Sequence, residues 1–426
     1  MNSLKKIVVT LLLMVSCNLF AQDFDANLQI RPRYEFRNGY KSPIAYGENS
    51  AQFISSRTRL NLNFKQDQFV TKLTFQNVRT WGDVASNTKS DVNNIQIFEA
   101  WAQYNFNENW SSRLGRQIIS YDNQRIFGGL DWAQQGQAHD AALVSYKNKN
   151  SQLDVAVAYS ANGESDTAVP YTVANYKTMQ YAWYHTELGK INMSLLFLNT
   201  GYENKLTAPI PTPLPELKVD YMQTSGIYLQ TKINKWDSEL WFYGQTGKNT
   251  QLNVSAFDAG LNFNYAFTDK FKVGLGYEFL SGKSQKDTSS DIKSFNPIFG
   301  TNHGFNGYMD YFYAGNYKNS VGLQDAFLNF GYAVNKWKFN LLPHVFNTAN
   351  TVLDTNAKGM SNYLGTEIDF TTSYAVHKYI NISAGYSQMF GSDTMQQVKG
   401  GDVDHTNNWA WVMISFNPQL FSIKKI

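Results

Sequence analysis

Cysteine is almost missing from this chain. The one present, Cys17, lies in an apolar run near the start, so from residue 22 onward no disulfide braces the fold and no thiolate is available as nucleophile or ligand. Long apolar runs are missing as well. After residue 21 nothing approaches the ~18–20 apolar residues that a membrane-spanning helix needs. The six histidines are scattered, whereas a zinc site needs three or four ligands at workable spacing. No serine sits in a recognisable nucleophile elbow near His139 and Asp140, so that pair gives no hydrolase triad. Net charge is only +3, and Lys5 and Lys6 supply two of those charges, so no broad basic surface points to nucleic acid. The sequence calls for no cofactor.

Residues 1–21 have the form of a secretory signal peptide. Lys5 and Lys6 precede the short apolar run "IVVTLLLMVSCNLF", and cleavage is expected after Ala21. A lipid on Cys17 is the weaker reading, because Met14 and Val15 make a poor lipobox. The remainder, 22–426, reads as one outer-membrane domain. Aromatics make up 15% of the chain, yet its mean hydropathy is −0.40. An exported chain that is aromatic-rich but polar on average suits a barrel with one apolar and one wet face.

The hydrophobic period is two almost throughout. In "LQIRPRYEFR", Leu28, Ile30, Pro32, Tyr34 and Phe36 share one face, and Gln29, Arg31, Arg33, Glu35 and Arg37 share the other. "SSRTRLNLNF" sets Leu60, Leu62 and Phe64 against Arg57, Arg59, Asn61 and Asn63. About eighteen such windows fall between residues 24 and 418, joined alternately by short turns and longer polar loops. The pattern predicts an all-β fold, a closed antiparallel transmembrane β-barrel with short periplasmic turns and long extracellular loops. The stretches at 120–140 and 247–251 are the hardest to place. Trp110, Trp236, Phe271, Trp337 and Tyr379 each follow a short turn directly, as expected of an interfacial girdle. A soluble solenoid would need a fixed repeat, and there is none.

Arginine is absent after residue 125. All nine (Arg31, Arg33, Arg37, Arg57, Arg59, Arg79, Arg113, Arg116 and Arg125) lie in the first third, and the rest of the chain uses only lysine. Strand parity puts Arg31, Arg33, Arg57 and Arg59 on the inward face. Arg113 can join them, but Arg116 has the opposite parity. A guanidinium grips carboxylates with two parallel hydrogen bonds, and rings of basic side chains make pores favour anions. The alternative is scaffolding, with arginines paired to Glu35, Glu99 and other lumen polars.

"LGRQIISYDNQRIFGGLDWAQQGQAHDA" (114–141), "FISSRTRLNLNF" (53–64), "VRTWGD" (78–83) and "HGFNGYMDYF" (303–312) together resemble the alginate-export family of outer-membrane channels. The resemblance implies a monomeric barrel of eighteen strands with an electropositive lumen. Such a barrel passes a polyuronate across the outer membrane unchanged and has periplasmic export components as its natural partners. On that reading Arg31, Arg33, Arg57, Arg59, Arg79, Arg113, Arg116, Arg125, Asp131, Glu35 and Glu99 line the pathway. The 120–140 stretch would fold into the pore as its charged narrowest region. Gly128 and Gly129 are expected to turn the chain there, and Trp132 to pack it against the wall. "APIPTPLPEL" (208–217) reads as a stiff extended flap. The loop at 282–319 carries Lys283, Lys286, Lys293, Phe295, Phe299, Phe305, Tyr308, Tyr311 and Phe312, which either stack on sugars or pack the loop.

Export of an anionic polysaccharide is the leading function. An uptake porin for small anions or oligosaccharides has the same architecture and opposite traffic. A barrel enzyme such as a lipase would need a Ser–His pair on the rim, and none is evident. A plugged adhesion barrel fits the arginine face poorly.

Overall fold

A computed structural model describes residues 22–173, 176–204, 216–313 and 315–424. The leader at 1–21 and all but residues 216 and 217 of the proline-rich stretch fall outside them. The first nine strands are β1 (Gln22–Asn38), β2 (Ala51–Gln66), β3 (Phe69–Thr80), β4 (Gln96–Asn105), β5 (Trp110–Gln117), β6 (His139–Lys147), β7 (Ser151–Tyr159), β8 (Thr178–Leu188) and β9 (Ile191–Glu203). The second nine are β10 (Val219–Ile233), β11 (Trp236–Asn249), β12 (Leu252–Ala266), β13 (Phe271–Leu280), β14 (Leu323–Val334), β15 (Trp337–Thr348), β16 (Tyr363–His377), β17 (Ile380–Gly391) and β18 (Asn407–Phe416). Each pairs antiparallel with the next, and β18 returns to β1, with Ile30 opposite Phe416 and Asn38 opposite Asn408. The sheet is therefore a closed barrel of eighteen strands. A nineteenth short strand, β19 (Gln419–Ile423), continues along β1, placing Ser422 opposite Asp25.

Alternation does what the sequence requires. On β7, Val155, Val157 and Tyr159 are exposed on the outside, while Asp154, Ala156 and Ala158 are buried within. On β1 and β2, Ile30 and Tyr34 point out, and Arg31, Arg33, Arg57 and Arg59 point in. An arginine on the lipid side at mid-bilayer would cost ~2–4 kcal/mol, which fixes this parity. At the short-turn end the aromatic girdle is built from cross-strand pairs. Trp110 meets Tyr146 at 4.9 Å, and Trp236–Tyr265 and Trp337–Tyr374 each lie 4.6 Å apart between ring centroids.

At the other end β11 and β12 are joined tightly through Thr250 and Gln251. Both have positive φ (47° and 73°), as in the primed turns that match strand twist. Two long connections, 118–138 and 281–322, turn into the barrel instead of standing above it. Phe127, Phe299, Met309, Tyr311 and Phe346 are almost wholly buried there, so the interior is filled by loop against wall. Within the connection between β17 and β18 lies a two-turn helix, α1 (Asp393–Lys399). Ser392 caps it by accepting a hydrogen bond from the Met395 N–H, and Met395 is buried beneath it.

Candidate functional site

The 118–138 loop reaches both sides of the barrel. On one side it meets the β1–β3 wall. Asp131 accepts from Arg57 at 2.7 Å and from Arg31 at 3.3 Å, and Arg59 stands 3.8 Å away. Backbone carbonyls of the loop add to this: Trp132 accepts from Arg33 at 2.8 Å, and Gln135 from the Gln76 amide at 3.0 Å. The Gln134 side-chain oxygen accepts from Arg31 at 3.0 Å. Arg57 is wholly buried and Arg31 nearly so, whereas the Asp131 side chain is 75% exposed. That carboxylate is open to solvent yet ringed by protein. The enclosure raises its proton affinity, but Arg57, Arg31 and Arg59 outweigh this and hold it below the usual aspartate value.

Trp132 packs against side chains of β1 and β18. The Arg33 guanidinium lies 3.9 Å over its ring, His303 stacks on it at 4.5 Å, and Trp409 and Trp411 of β18 meet it edge-on. Glu35 is buried between Arg33 (2.9 Å) and Arg37 (2.8 Å), with Trp409 donating to it at 3.1 Å. Glu99 pairs with Lys72 rather than with an arginine. Pairing of both kinds, scaffolding and loop-holding, is therefore present on one wall.

Arg125 is on the far side of the same loop. It is 2% exposed and contacts Glu278 of β13 at 2.8 Å and Asp258 of β12 at 3.4 Å. Its neighbours complete an acidic wall that sequence reasoning missed. Asp258, Glu278, Asp325, Glu367 and Asp369 are all buried on the inward faces of β12, β13, β14 and β16. Only Arg125 and His344 pair with them among the described residues. Neighbouring strands supply Trp241 to Asp258 and Ser387 to Asp369, and the second loop supplies further donors. Asn306 donates to Glu278 (2.6 Å) and Asp325 (3.3 Å), and the Met309 and Tyr308 N–H groups donate to Glu367 (2.8 Å) and Asp369 (3.2 Å). The signal in the sequence was there but faint: one or two carboxylates at inward parity on each of four strands in the second half of the chain.

Several expectations need correction. Arg116 does not face the lumen. It shares the outer face of β5 with Leu114 and pairs with Asp140 at 2.8 Å, because the strand keeps its alternation through Gly115. The same alternation splits His139 from Asp140: His139 is buried against the Tyr176 hydroxyl, and Asp140 is outside. Arg79 stands at the upper end of β3 at outward parity, since Val78 is the residue opposite inward-facing Arg57, and it is held by Asp91 of the adjoining loop. Arg113 does face inward, but lower down. It donates to Gln103 and lies 4.2 Å over the Trp101 ring, beside a cavity of about 410 Å³.

Gly128 and Gly129 do not adopt the left-handed backbone; Asp122, Gln124, Leu130 and Gly136 do. Gly128 is required for a different reason. A Cβ there would sit 2.1 Å from the Thr301 hydroxyl, where the two inward loops are stitched together. The Gly128 N–H donates to the Phe299 carbonyl and Phe127 stacks on Phe299 at 5.5 Å. Phe295, Phe299, Tyr311 and Phe312 of the second loop are buried, so packing claims these rings and leaves them no face for a sugar.

Above the loop a second cavity of about 520 Å³ opens to the long-loop end, bordered by Arg37, Lys41, Arg79 and Tyr313. Glu35, Asp83 and Asp310 share that chamber, which Trp132 also borders, and on the other side Glu108 and Asp154 accompany Arg113 and Lys147, so both chambers carry charges of both signs. No group of three or more His, Cys, Asp or Glu side chains placed to hold a metal ion occurs among the described residues.

The family model for alginate export matches residues 22–409. No curated protein matches the sequence. Among solved structures, Acinetobacter baumannii OccAB4 is similar with a TM-score of 0.64 at 10% identity, covering 95% of this chain and 100% of that one. A BenF-like porin from Pseudomonas fluorescens Pf-5 gives 0.62 at 12% identity, with 94% and 100% covered. Pseudomonas aeruginosa OpdK, solved with vanillate, gives 0.61 at 10% identity, with 93% and 98% covered. At such identities the likeness is one of fold. With the family match over most of its length and a barrel of eighteen strands facing lipid, this chain belongs to the alginate export family and is an outer-membrane β-barrel channel.

Proposed function

We infer that the channel passes anionic saccharides, of which a polyuronate is the leading substrate class, by passive permeation past the arginines of β1 and β2. The observation that carries this reading is the stack of Arg31, Arg33, Arg57 and Arg59 on one inward wall, with Asp131 as the carboxylate that three of them share. Guanidiniums suit carboxylates, and the counter-charge keeps binding weak enough for release. Arg37 and Lys41 on the long-loop side and Arg113 with Lys147 on the other add cations along the axis. A pore has no intrinsic direction, so the geometry serves export and entry alike.

A second reading, uptake of small carboxylates or oligosaccharides, draws support from the two inward loops, which leave chambers of about 520 and 410 Å³. OpdK in complex with vanillate, an aromatic carboxylate, is an example within the fold. Planar-bilayer recordings separate these readings. A reversal potential in a salt gradient should report anion preference, and a cation-selective pore would end both. Block by uronate oligomers should strengthen with chain length for a polymer channel and be independent of length for a small-solute porin.

A further inference from the structure

We propose that Arg31, Arg57 and Arg59 form a carboxylate-binding site that Asp131 occupies as a built-in stand-in for the substrate's own carboxylate. The inference rests on the anion-transport reading above and deepens it. Three guanidiniums converge on one carboxylate, and among the described residues no other carboxylate pairs with any of the three. Arg57 and Arg31 each have a further partner. Arg57 donates to Gln29 of β1 at 2.8 Å and Arg31 to Gln134 of the same loop at 3.0 and 3.2 Å, so the site keeps its shape when Asp131 swings away with the loop still seated. The occupant is the accessible member. Asp131 exposes 75% of its side chain while the guanidiniums behind it expose 0–10%. Arg125 pins the far end of the loop in a buried acidic pocket, so Asp131 can swing away without the loop leaving the barrel.

A tethered competitor acts at an effective concentration on the order of millimolar or higher. A lone small carboxylate therefore enters the site only when abundant. A polyuronate presents a new carboxylate at every sugar, so each one released is replaced by its neighbour. Asp131 would thus close the site to stray metabolite anions and yield it to a polymer.

The test uses the full-length channel in planar bilayers, with sodium glucuronate as probe and glucose as the neutral control. The reading is the glucuronate concentration that halves the chloride current. Asp131→Asn should lower that concentration roughly tenfold, the equivalent of one charge-assisted hydrogen bond regained. Asp131→Glu should restore weak block, and glucose should do nothing to either. Asp140→Asn, on the outer face, should behave as the unsubstituted chain. Asp131→Ser, which also keeps Gln134 and Arg125, is the second variant and must show the same gain; single-channel conductance equal to that of the unsubstituted channel shows that the loop is still seated in both. Block that is unchanged or weaker in Asp131→Asn and in Asp131→Ser overturns the proposal. An anion-selective channel with that result leaves the transport reading standing, whereas a cation-selective one removes both.

Discussion

On the β1–β3 side of the barrel, guanidiniums on the wall receive a carboxylate from the loop. On the β12–β16 side, carboxylates on the wall receive a guanidinium from the same loop, six residues earlier. The two contacts mirror each other in sign but not in setting. Asp131 lies open to water, and Arg125 is 2% exposed between two buried acids. A pair whose carboxylate faces water is partly screened by salt and exchanges more readily than one buried on both sides. Removing one member of a buried pair strands the other, at a cost of ~3–5 kcal/mol. The difference teaches that one loop has a fixed end and an exchangeable end. Charge complementarity alone does not say which is which; solvent access does.

The strongest way to break the comparison is to remove both ends at once. Deleting residues 124–135 should raise single-channel conductance several-fold and relax anion preference, while the barrel still inserts. Unchanged conductance would mean that the loop does not sit in the pathway. Next in size is Arg125→Met. With Asp258 and Glu278 left facing each other, the loop should lose ~3–5 kcal/mol of local stability, read as faster hydrogen exchange across 118–138. Adding Glu278→Gln should recover part of that loss, since one stranded charge is gone.

Changing the other wall should alter transport more than stability. Arg57→Ser with Arg59→Ser should lower the anion preference measured by reversal potential. Arg116→Ser, on the outer face, should leave it where it was. A smaller effect distinguishes the exchangeable end by pH. The Asp131 carboxylate is held below its usual value, so its contribution is fully present above the ordinary aspartate range and fades only as pH falls through the lowered value. Conductance should therefore show no Asp131-dependent change from pH 7 down to about 4, and the step that follows on further acidification should be missing in Asp131→Asn. A step nearer neutrality that Asp131→Asn abolishes would contradict the pairing. Arg79→Ser, at the rim, should change neither selectivity nor unfolding measurably.

The strands were legible because their period is local. The alternating runs "LQIRPRYEFR" and "SSRTRLNLNF" lie wholly within β1 and β2, and the stretch at 247–251, hard to place, closes in a two-residue turn. Facing was legible for the same reason, and the parity conflict between Arg113 and Arg116 resolves as alternation demands. What joins across the lumen was not legible. Arg125 and Asp258 stand 133 residues apart, and neither carries a local mark of the other. Aromatic residues in the 281–322 loop have the same composition whether they pack inward or face a sugar, so burial had to be seen. β19 escaped notice because five residues after Pro418 show no alternation to read.

That last strand bears on how the barrel comes into being. The edge of β1 is matched by β18 over Ile30–Asn38 and by β19 over Phe24–Asn27, with the Leu28 N–H reaching the Pro418 carbonyl between them. The earliest strand to be made must therefore keep its bonding edge free until nearly four hundred residues have followed, and two successive segments then fasten it. Contacts between segments so distant in sequence form late, because the intervening chain must be gathered before they are rewarded. Until then β1 offers a bare edge of the kind that invites wrong partners in a crowded compartment. A seam fastened in two steps gives newly secreted copies a register check: a slip in the first segment would misalign Phe24 with Phe421 and Asp25 with Ser422 in the second.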